Sequence, residues 1–311
     1  MNKKEIMKFM INYNILNKKV KLFMERSGSR PSRPYDYLNS LVWIAGRLIK
    51  DLLGRILILT GAHRRYFRGR GIIVAFHSVT AGPSNGALRC GVRDFETYCR
   101  FFARYLPVCT MTELVEHVQR GAVLMGQLAI TFDDGYADNA ELAAPVLARY
   151  HLPATFFVAT AFIDSETQAA WDIKVGIRSR WMSRQQVKAL HAAQHEIGSH
   201  TQNHCNLGMV PESVAVAEMA GSKADILAWI GQVPRHFAIP YGRDFPTLPR
   251  IAAIARELGF DTVTLCRGGL LAPASQAVVW ERIPVSPNDY LSPYGWYYDV
   301  FKEINLNLRG S

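Results

Sequence analysis

Asp133, Asp134, His200 and His204 are the residues whose types and spacing best suit metal-assisted hydrolysis. Asp133 and Asp134 close the apolar run Leu128-Ala129-Ile130-Thr131-Phe132 and precede Gly135. Two adjacent carboxylates just past a strand cannot both be buried cheaply without partners. Neighbouring side chains of extended backbone point in different directions, so one can bind a cation while the other faces a reactant. A helix N-cap or a solvated turn is the alternative reading of Asp-Asp-Gly alone. His200 and His204 lie four apart, after Glu196-Ile197-Gly198-Ser199. From one helical turn or a tight loop they can reach the same cation, and neutral imidazole suits zinc and similar metals. Two histidines plus one carboxylate leave positions open for water and substrate. His-x-x-x-His by itself also describes two surface histidines.

A third element, His236-Phe237-Ala238-Ile239 followed by Pro240-Tyr241-Gly242, reads as a strand entering a fixed loop. Short β-branched or aromatic runs predict strands at 71–77, 127–132, 154–160, 195–199, 236–240, 261–266 and 278–284. Helical patterns fall between them at 94–105, 111–119, 138–150, 183–193, 212–230 and 247–258. Such alternation predicts an α/β fold with a parallel sheet closed, or nearly closed, into a barrel. Functional residues then belong at the carboxyl ends of strands, where all three elements fall.

In this order and spacing the three elements resemble the polysaccharide deacetylase family (carbohydrate esterase family 4, the NodB-homology domain). The resemblance covers about residues 71–285 and rests on Thr131-Phe132-Asp133-Asp134-Gly135 with the His200–His204 segment. It is supported by Ala154–Thr160, the Trp171-Asp172 pair and His195–His200. The resemblance implies a distorted (β/α) barrel of fewer than eight units. It implies Asp133 as general base and Asp134, His200 and His204 as ligands of a divalent metal, zinc foremost. It places Pro240, Tyr241 and Gly242 in the substrate groove and oxyanion region, and Trp171 and Asp172 beside the substrate.

The chain departs from the family pattern in three places. Ala238 stands where many members have an arginine that orients the base, as in the family's Phe-Ala-Tyr-Pro-Tyr-Gly branch; Arg282 in Glu281-Arg282-Ile283-Pro284 is the substitute on offer. The late Leu-x-x-His that supplies the general acid is absent, since no histidine follows His236. In some relatives a histidine near the domain's start takes that part, and His77 is its equivalent here; a packed histidine is the competing reading. Gln194 replaces a glycine common before His-Glu-Ile-Gly. The implied activity is hydrolysis of an N-acetyl group from a glycan or lipid-linked amino sugar. Two alternatives stay open: a deformylase or small-amide hydrolase on the same fold, and a catalytically silent sugar-binding module. Trp171, Trp181, Trp280, Trp296, Tyr297 and Tyr298 can stack on sugars, although core packing explains most such residues.

The net charge of +10 is uneven: residues 1–70 carry about +12 and the rest about −2. A basic appendage on a near-neutral domain argues against nucleic acid as partner. Residues 1–37 read as a basic extension and a Gly/Ser/Pro linker, residues 38–70 as an amphipathic helix with a basic cluster, and 71–311 as the catalytic domain. On a helical wheel Arg47, Lys50, Asp51 and Arg55 fall within about 140° of one another. The remaining face carries Leu48, Ile49, Leu52, Leu53, Ile56 and Leu57. His63, Arg64, Arg65, Arg68 and Arg70 follow, a pattern that suits an anionic membrane surface. Simple packing of this helix on the main domain is the alternative. Five cysteines without Cys-x-x-Cys, and no evident secretory signal, lead us to expect the cytoplasmic face.

Overall fold

The computed structural model describes the backbone of residues 34–307, apart from 87, 243–245 and 272–278, and within these the side chains of 42–302. The extension expected at 1–25, and most of the linker at 26–36, lie outside the described residues.

Apolar runs too short to form helices become strands buried on both faces. Ile72–Phe76, for example, are at most 1% exposed. Eight strands form one parallel sheet: β1 (Arg70–Phe76), β4 (Met125–Phe132), β5 (Thr155–Val158), β6 (Glu196–Ser199), β7 (His236–Ala238), β8 (Thr262–Leu265), β9 (Val279–Glu281) and β10 (Ile283–Pro284). Their order is β10-β1-β4-β5-β6-β7-β8-β9. β9 pairs with β8 and β10 pairs with β1, and only Arg282 separates β9 from β10. One short segment therefore nearly closes the barrel, and Arg282 stands at its seam. The short pair β2 (Ser78–Thr80) and β3 (Arg89–Gly91), absent from the sequence reading, forms a small parallel ribbon after β1.

Helices surround the barrel: α1 (Pro34–Leu59), α2 (Ala62–Tyr66), α3 (Val92–Tyr105), α4 (Met111–Gln119), α5 (Ala144–Arg149, entered through a wide turn at Asn139–Ala143), α6 (Ala170–Ile173), α7 (Arg184–Ala192), α8 (Glu212–Ile230), α9 (Leu248–Glu257) and α10 (Pro293–Asn307). Reciprocal capping by Thr110 with Glu113 and by Ser183 with Gln186 fixes where α4 and α7 begin. The sequence reading did not anticipate α10. It carries Trp296, Tyr297 and Tyr298, all at most 5% exposed. With Trp280 and Trp181, also buried, these aromatics belong to the core and not to a sugar platform.

α1 packs along the domain through its polar side. Arg47 donates to the Tyr290 carbonyl oxygen, Lys50 pairs with Asp299 at 2.6 Å, and Asp51 accepts from Ser292. Leu53, Leu57 and Ile58 flank this seam against the core. Gly54 lets the two helices touch, because a Cβ there would overlap the Tyr294 carbonyl. We expect Gly54→Val to push α1 off α10 and lower the Tm, despite the better intrinsic helix propensity of valine. An unchanged or higher Tm in thermal denaturation would contradict this packing.

Candidate active site

The pleat of β4 places the carboxylates. Phe132 turns outward, stacking on Phe76 at 5.6 Å and Phe156 at 4.8 Å between ring centroids. Thr131 and Asp133, on the opposite face, therefore point into the barrel. The Asp133 N–H still joins the ladder by donating to the Phe76 carbonyl at 3.0 Å. Asp134 then adopts φ 73°, and Gly135 φ 93°, which turns the chain out over the barrel's end. Non-glycine residues rarely enter this left-handed region. Here Asp134, Thr201, His204 and Tyr241 all do, at the same end of the barrel. Such strain concentrates where surrounding contacts hold a functional geometry in place.

Arg282 reaches Asp133 from the barrel seam. Its Nη1 and Nη2 donate to Oδ1 and Oδ2 at 2.6 and 2.7 Å, and Nη1 also donates to Thr131 Oγ1 at 3.0 Å. Arg282 is 0% exposed, so both charges of this pair are fully desolvated. Burial alone would raise the Asp133 pKa, but the Arg282 charge outweighs it and holds the carboxyl below its ordinary range. Asp133 is thus an ionised acceptor fixed in one orientation. Arg282 gives Asp133 an arginine contact that Ala238 has no side chain to make.

The histidines come from the loop after β6. Glu218 of α8 accepts from the Gln202 and Asn203 N–H groups at 3.0 and 2.9 Å. Asp225 accepts from Thr160 Oγ1 and Gln202 Nε2 at 2.6 and 2.9 Å. Neither acidic residue was singled out in the sequence, because residues on a helix one element away give no local signal. His200 Nδ1 lies 2.8 Å from the Ala238 carbonyl oxygen, which can only accept; Nδ1 is therefore the protonated nitrogen and Nε2 is free to coordinate. His200 Nε2 and His204 Nε2 lie 3.3 and 3.2 Å from the same oxygen, Asp134 Oδ1.

Asp134, His200 and His204 each offer a donor atom, all within 4.8 Å of one another, and all three residues are buried. Burial opposes ionisation of Asp134, yet contact with His200 and His204 drives its carboxyl well below the usual range. Burial lowers the His204 pKa, whereas at His200 contact with Asp134 overcomes burial and raises it. An anionic carboxylate converging with two imidazole nitrogens is a donor set for a borderline divalent cation such as zinc, and it leaves coordination positions open. The residues present fit that group.

Around this centre the structure gathers most of the remaining candidates. His77 follows β1 and is mostly buried; its Nε2 lies 3.9 Å from Asp133 Oδ2, beyond hydrogen-bond range. Its backbone carbonyl accepts from Asn139 Nδ2 at 2.7 Å, and its Nδ1 has no partner. The Tyr241 ring, more than half exposed, sits 4.9 Å from the His204 ring, and Trp171 sits 4.5 Å from it on another side. Gly242 is required at its place: φ is 58°, and a Cβ would strike Cys266. Asp172 differs from expectation. It is 3% exposed, and its carboxylate accepts from Arg89, Tyr136 and Ser179 at 2.8, 3.1 and 2.7 Å. With its oxygens so occupied, Asp172 is a scaffold group and not a substrate contact. It holds Tyr136, whose hydroxyl accepts from Trp171 Nε1 at 2.7 Å and so orients that indole at the rim.

Residues 123–263 match the family described as Polysaccharide deacetylase. The chain carries a polysaccharide deacetylase domain. It is thereby a hydrolase acting on amide carbon–nitrogen bonds. The curated Bacillus subtilis (strain 168) protein YxkH, "Putative polysaccharide deacetylase", is 26% identical over 235 residues, which are 74% of this chain and 76% of YxkH. Among solved structures, IcaB from Ammonifex degensii aligns with TM-score 0.63 at 22% identity, covering 75% of this chain and 97% of that one. The Streptococcus pyogenes deacetylase PplD, in complex with acetate, aligns with TM-score 0.62 at 21% identity, covering 73% of this chain and 96% of that one. These structures share the barrel fold with the deacetylase domain. The family match contains the Asp134–His200–His204 group and Asp133, whereas His77 and Arg282 lie outside it.

Proposed function

We propose that the deacetylase domain removes the acetyl group from an N-acetylated amino sugar of a glycan, with a divalent cation, zinc foremost, held by Asp134, His200 and His204. The observation that carries this reading is an Arg282-locked carboxylate, Asp133, beside a buried Asp-His-His donor set, under an aromatic rim. Acetate, the product this reaction would release, is the ligand in the PplD structure.

A cation in that site supplies Lewis acidity, polarising the amide carbonyl and acidifying water. The chain's own groups do the rest. Asp133 accepts the proton of the attacking water, and Arg282 keeps its two oxygens oriented. A backbone N–H near Tyr241 faces the oxygen of the tetrahedral adduct, a kind of contact worth about 3 kcal/mol in comparable sites. His77, at the rim of the Asp133 pocket, hands a proton to the departing sugar nitrogen. Trp171 and Tyr241 stack on the apolar face of the sugar ring.

The acid role of His77 has its own test. His77→Asn should lose about 10²–10⁴-fold in turnover on an N-acetyl amide, whose leaving amine needs a proton. On para-nitrophenyl acetate, whose phenolate leaves unprotonated, the loss should be small. Equal losses on both substrates would assign His77 a structural role. The reaction itself is tested by incubating the metal-loaded protein with N-acetylated glycans and lipid-linked N-acetyl sugars, and assaying acetate and formate. Acetate with an equimolar free amine is expected. Formate from N-formyl substrates alone, or no acid from any, would overturn the proposal.

A further inference from the structure

The polarity of α1 is inverted relative to the solvent. Three of its ionic residues, Arg47, Lys50 and Asp51, face the domain, where α10 and the Tyr290 loop take up their hydrogen bonds, while Arg55 pairs with Asp51 and stays half exposed at the edge of the outward side. Its outward side carries Ile44, Leu48, Leu52, Ile56 and Leu59, exposed at 44, 56, 58, 45 and 84%. At about 100° per residue these five fall within one 120° sector. An isolated apolar side chain on a surface needs no explanation, but a continuous row of large ones marks a contact.

Charge identifies what covers this row. Directly beyond Leu59, Arg64, Arg65 and Arg68 are exposed, and none forms an ion pair among the described residues. Of the exposed arginines elsewhere, Arg149, Arg178, Arg180 and Arg184 each pair with a carboxylate, whereas Arg93, Arg100, Arg104 and Arg256 form no ion pair among the described residues. What distinguishes Arg64, Arg65 and Arg68 is their clustering at the end of the apolar row. Unpaired cations at the end of an apolar helical stripe complement a surface with an apolar interior and anionic headgroups. Among the described residues no helix is long and apolar enough to cross a membrane.

We propose that α1 and α2 dock the domain on an anionic lipid bilayer, with the Ile44–Leu59 stripe sunk into the interface and Arg64, Arg65 and Arg68 on the headgroups. The geometry sets the orientation. Arg47 touches the Tyr290 loop beyond the carboxyl end of β10, whereas Arg68 bridges to Met125 at the amino end of β4. α1 therefore runs alongside the barrel, about 39 Å at its helical rise. Docking through its outer stripe lays the barrel on its side. The catalytic end then opens along the lipid surface, where a glycan anchored in that surface can reach it. This binding claim is independent of the chemistry proposed above.

The test is sedimentation of the full chain with vesicles of phosphatidylcholine alone or mixed with phosphatidylglycerol. The wild type should partition at least tenfold more strongly onto the anionic vesicles. Leu48→Ser/Leu52→Ser/Ile56→Ser should lower that partition at least about tenfold without lowering the Tm. Arg64→Glu/Arg65→Glu/Arg68→Glu should lower it on the order of a hundredfold and weaken its salt dependence. Three results would overturn the proposal. The wild type could stay in the supernatant. Both variants could bind as the wild type does, which would move the contact to residues 1–33. The wild type could also be a dimer in solution that the serine variant dissociates, which would make a second copy the occupant of the stripe.

Discussion

Asp133→Asn should keep one divalent cation per chain and lower turnover by about 10²–10⁴-fold, the range contributed by a positioned general base. The two halves of this result separate the two adjacent carboxylates. Asp133 contributes no atom to the cluster of metal donors, whose members are Asp134, His200 and His204. Its oxygens accept from Arg282 instead. Asparagine keeps the shape and one acceptor oxygen but cannot accept a proton from water near neutral pH. Stoichiometric metal by mass spectrometry, with turnover reduced as stated, is the expected pair of readings. Turnover within threefold of wild type would remove Asp133 from the reaction. Loss of the metal would show instead that the two carboxylates act as one ligand unit.

Arg282→Met should have the largest effect on stability, about 3–5 kcal/mol, because it strands a buried carboxylate without its counter-charge. Asp133 and Arg282 are 3% and 0% exposed, so solvent cannot screen the loss. The pH dependence follows from the direction of the Asp133 shift. In the wild type its folded pKa lies below the unfolded value, near 3.9. The pair's stabilisation is therefore complete above that unfolded value and is lost as pH falls through the folded one. In the variant burial is unopposed by arginine, and the Asp133 pKa rises. The acid limb of activity should then move to higher pH. The stability gap between variant and wild type should narrow on acidification, as the stranded carboxyl becomes neutral. Urea denaturation at several pH values, with kcat/KM profiles, measures both. A gap independent of pH would mean that Arg282 stabilises the barrel by packing alone.

The residues of the site were more legible in the sequence than their surroundings. Asp133-Asp134-Gly135 and His200–His204 combine unusual residue types with positions just after strand-like runs, so local pattern sufficed. The helices at 111–119 and 212–230 were readable to the residue, the first because Thr110 and Glu113 form a capping box. Arg282 was identifiable only as a substitute, since nothing local says that residue 282 closes the barrel against β1. Asp172 was misassigned because its partners Arg89, Tyr136 and Ser179 are spread over ninety residues of chain. α10 was missed because its aromatics follow no clear helical period and it opens on Pro293-Tyr294-Gly295. The wheel of α1 separated a polar face from an apolar one, but periodicity cannot say which faces inward. Burial of the polar face required hydrogen-bond partners on α10 and the Tyr290 loop that only the folded chain supplies.

Metal stoichiometry in the Asp134→Asn, His200→Ala and His204→Ala proteins tests most directly whether these side chains share one cation. Each purified variant would be dialysed against zinc beside the wild type, with circular dichroism to verify folding. One ion per wild-type chain, and much less than one in each folded variant, is the predicted result. A full ion retained by any of the three would contradict the shared site and the chemistry built on it.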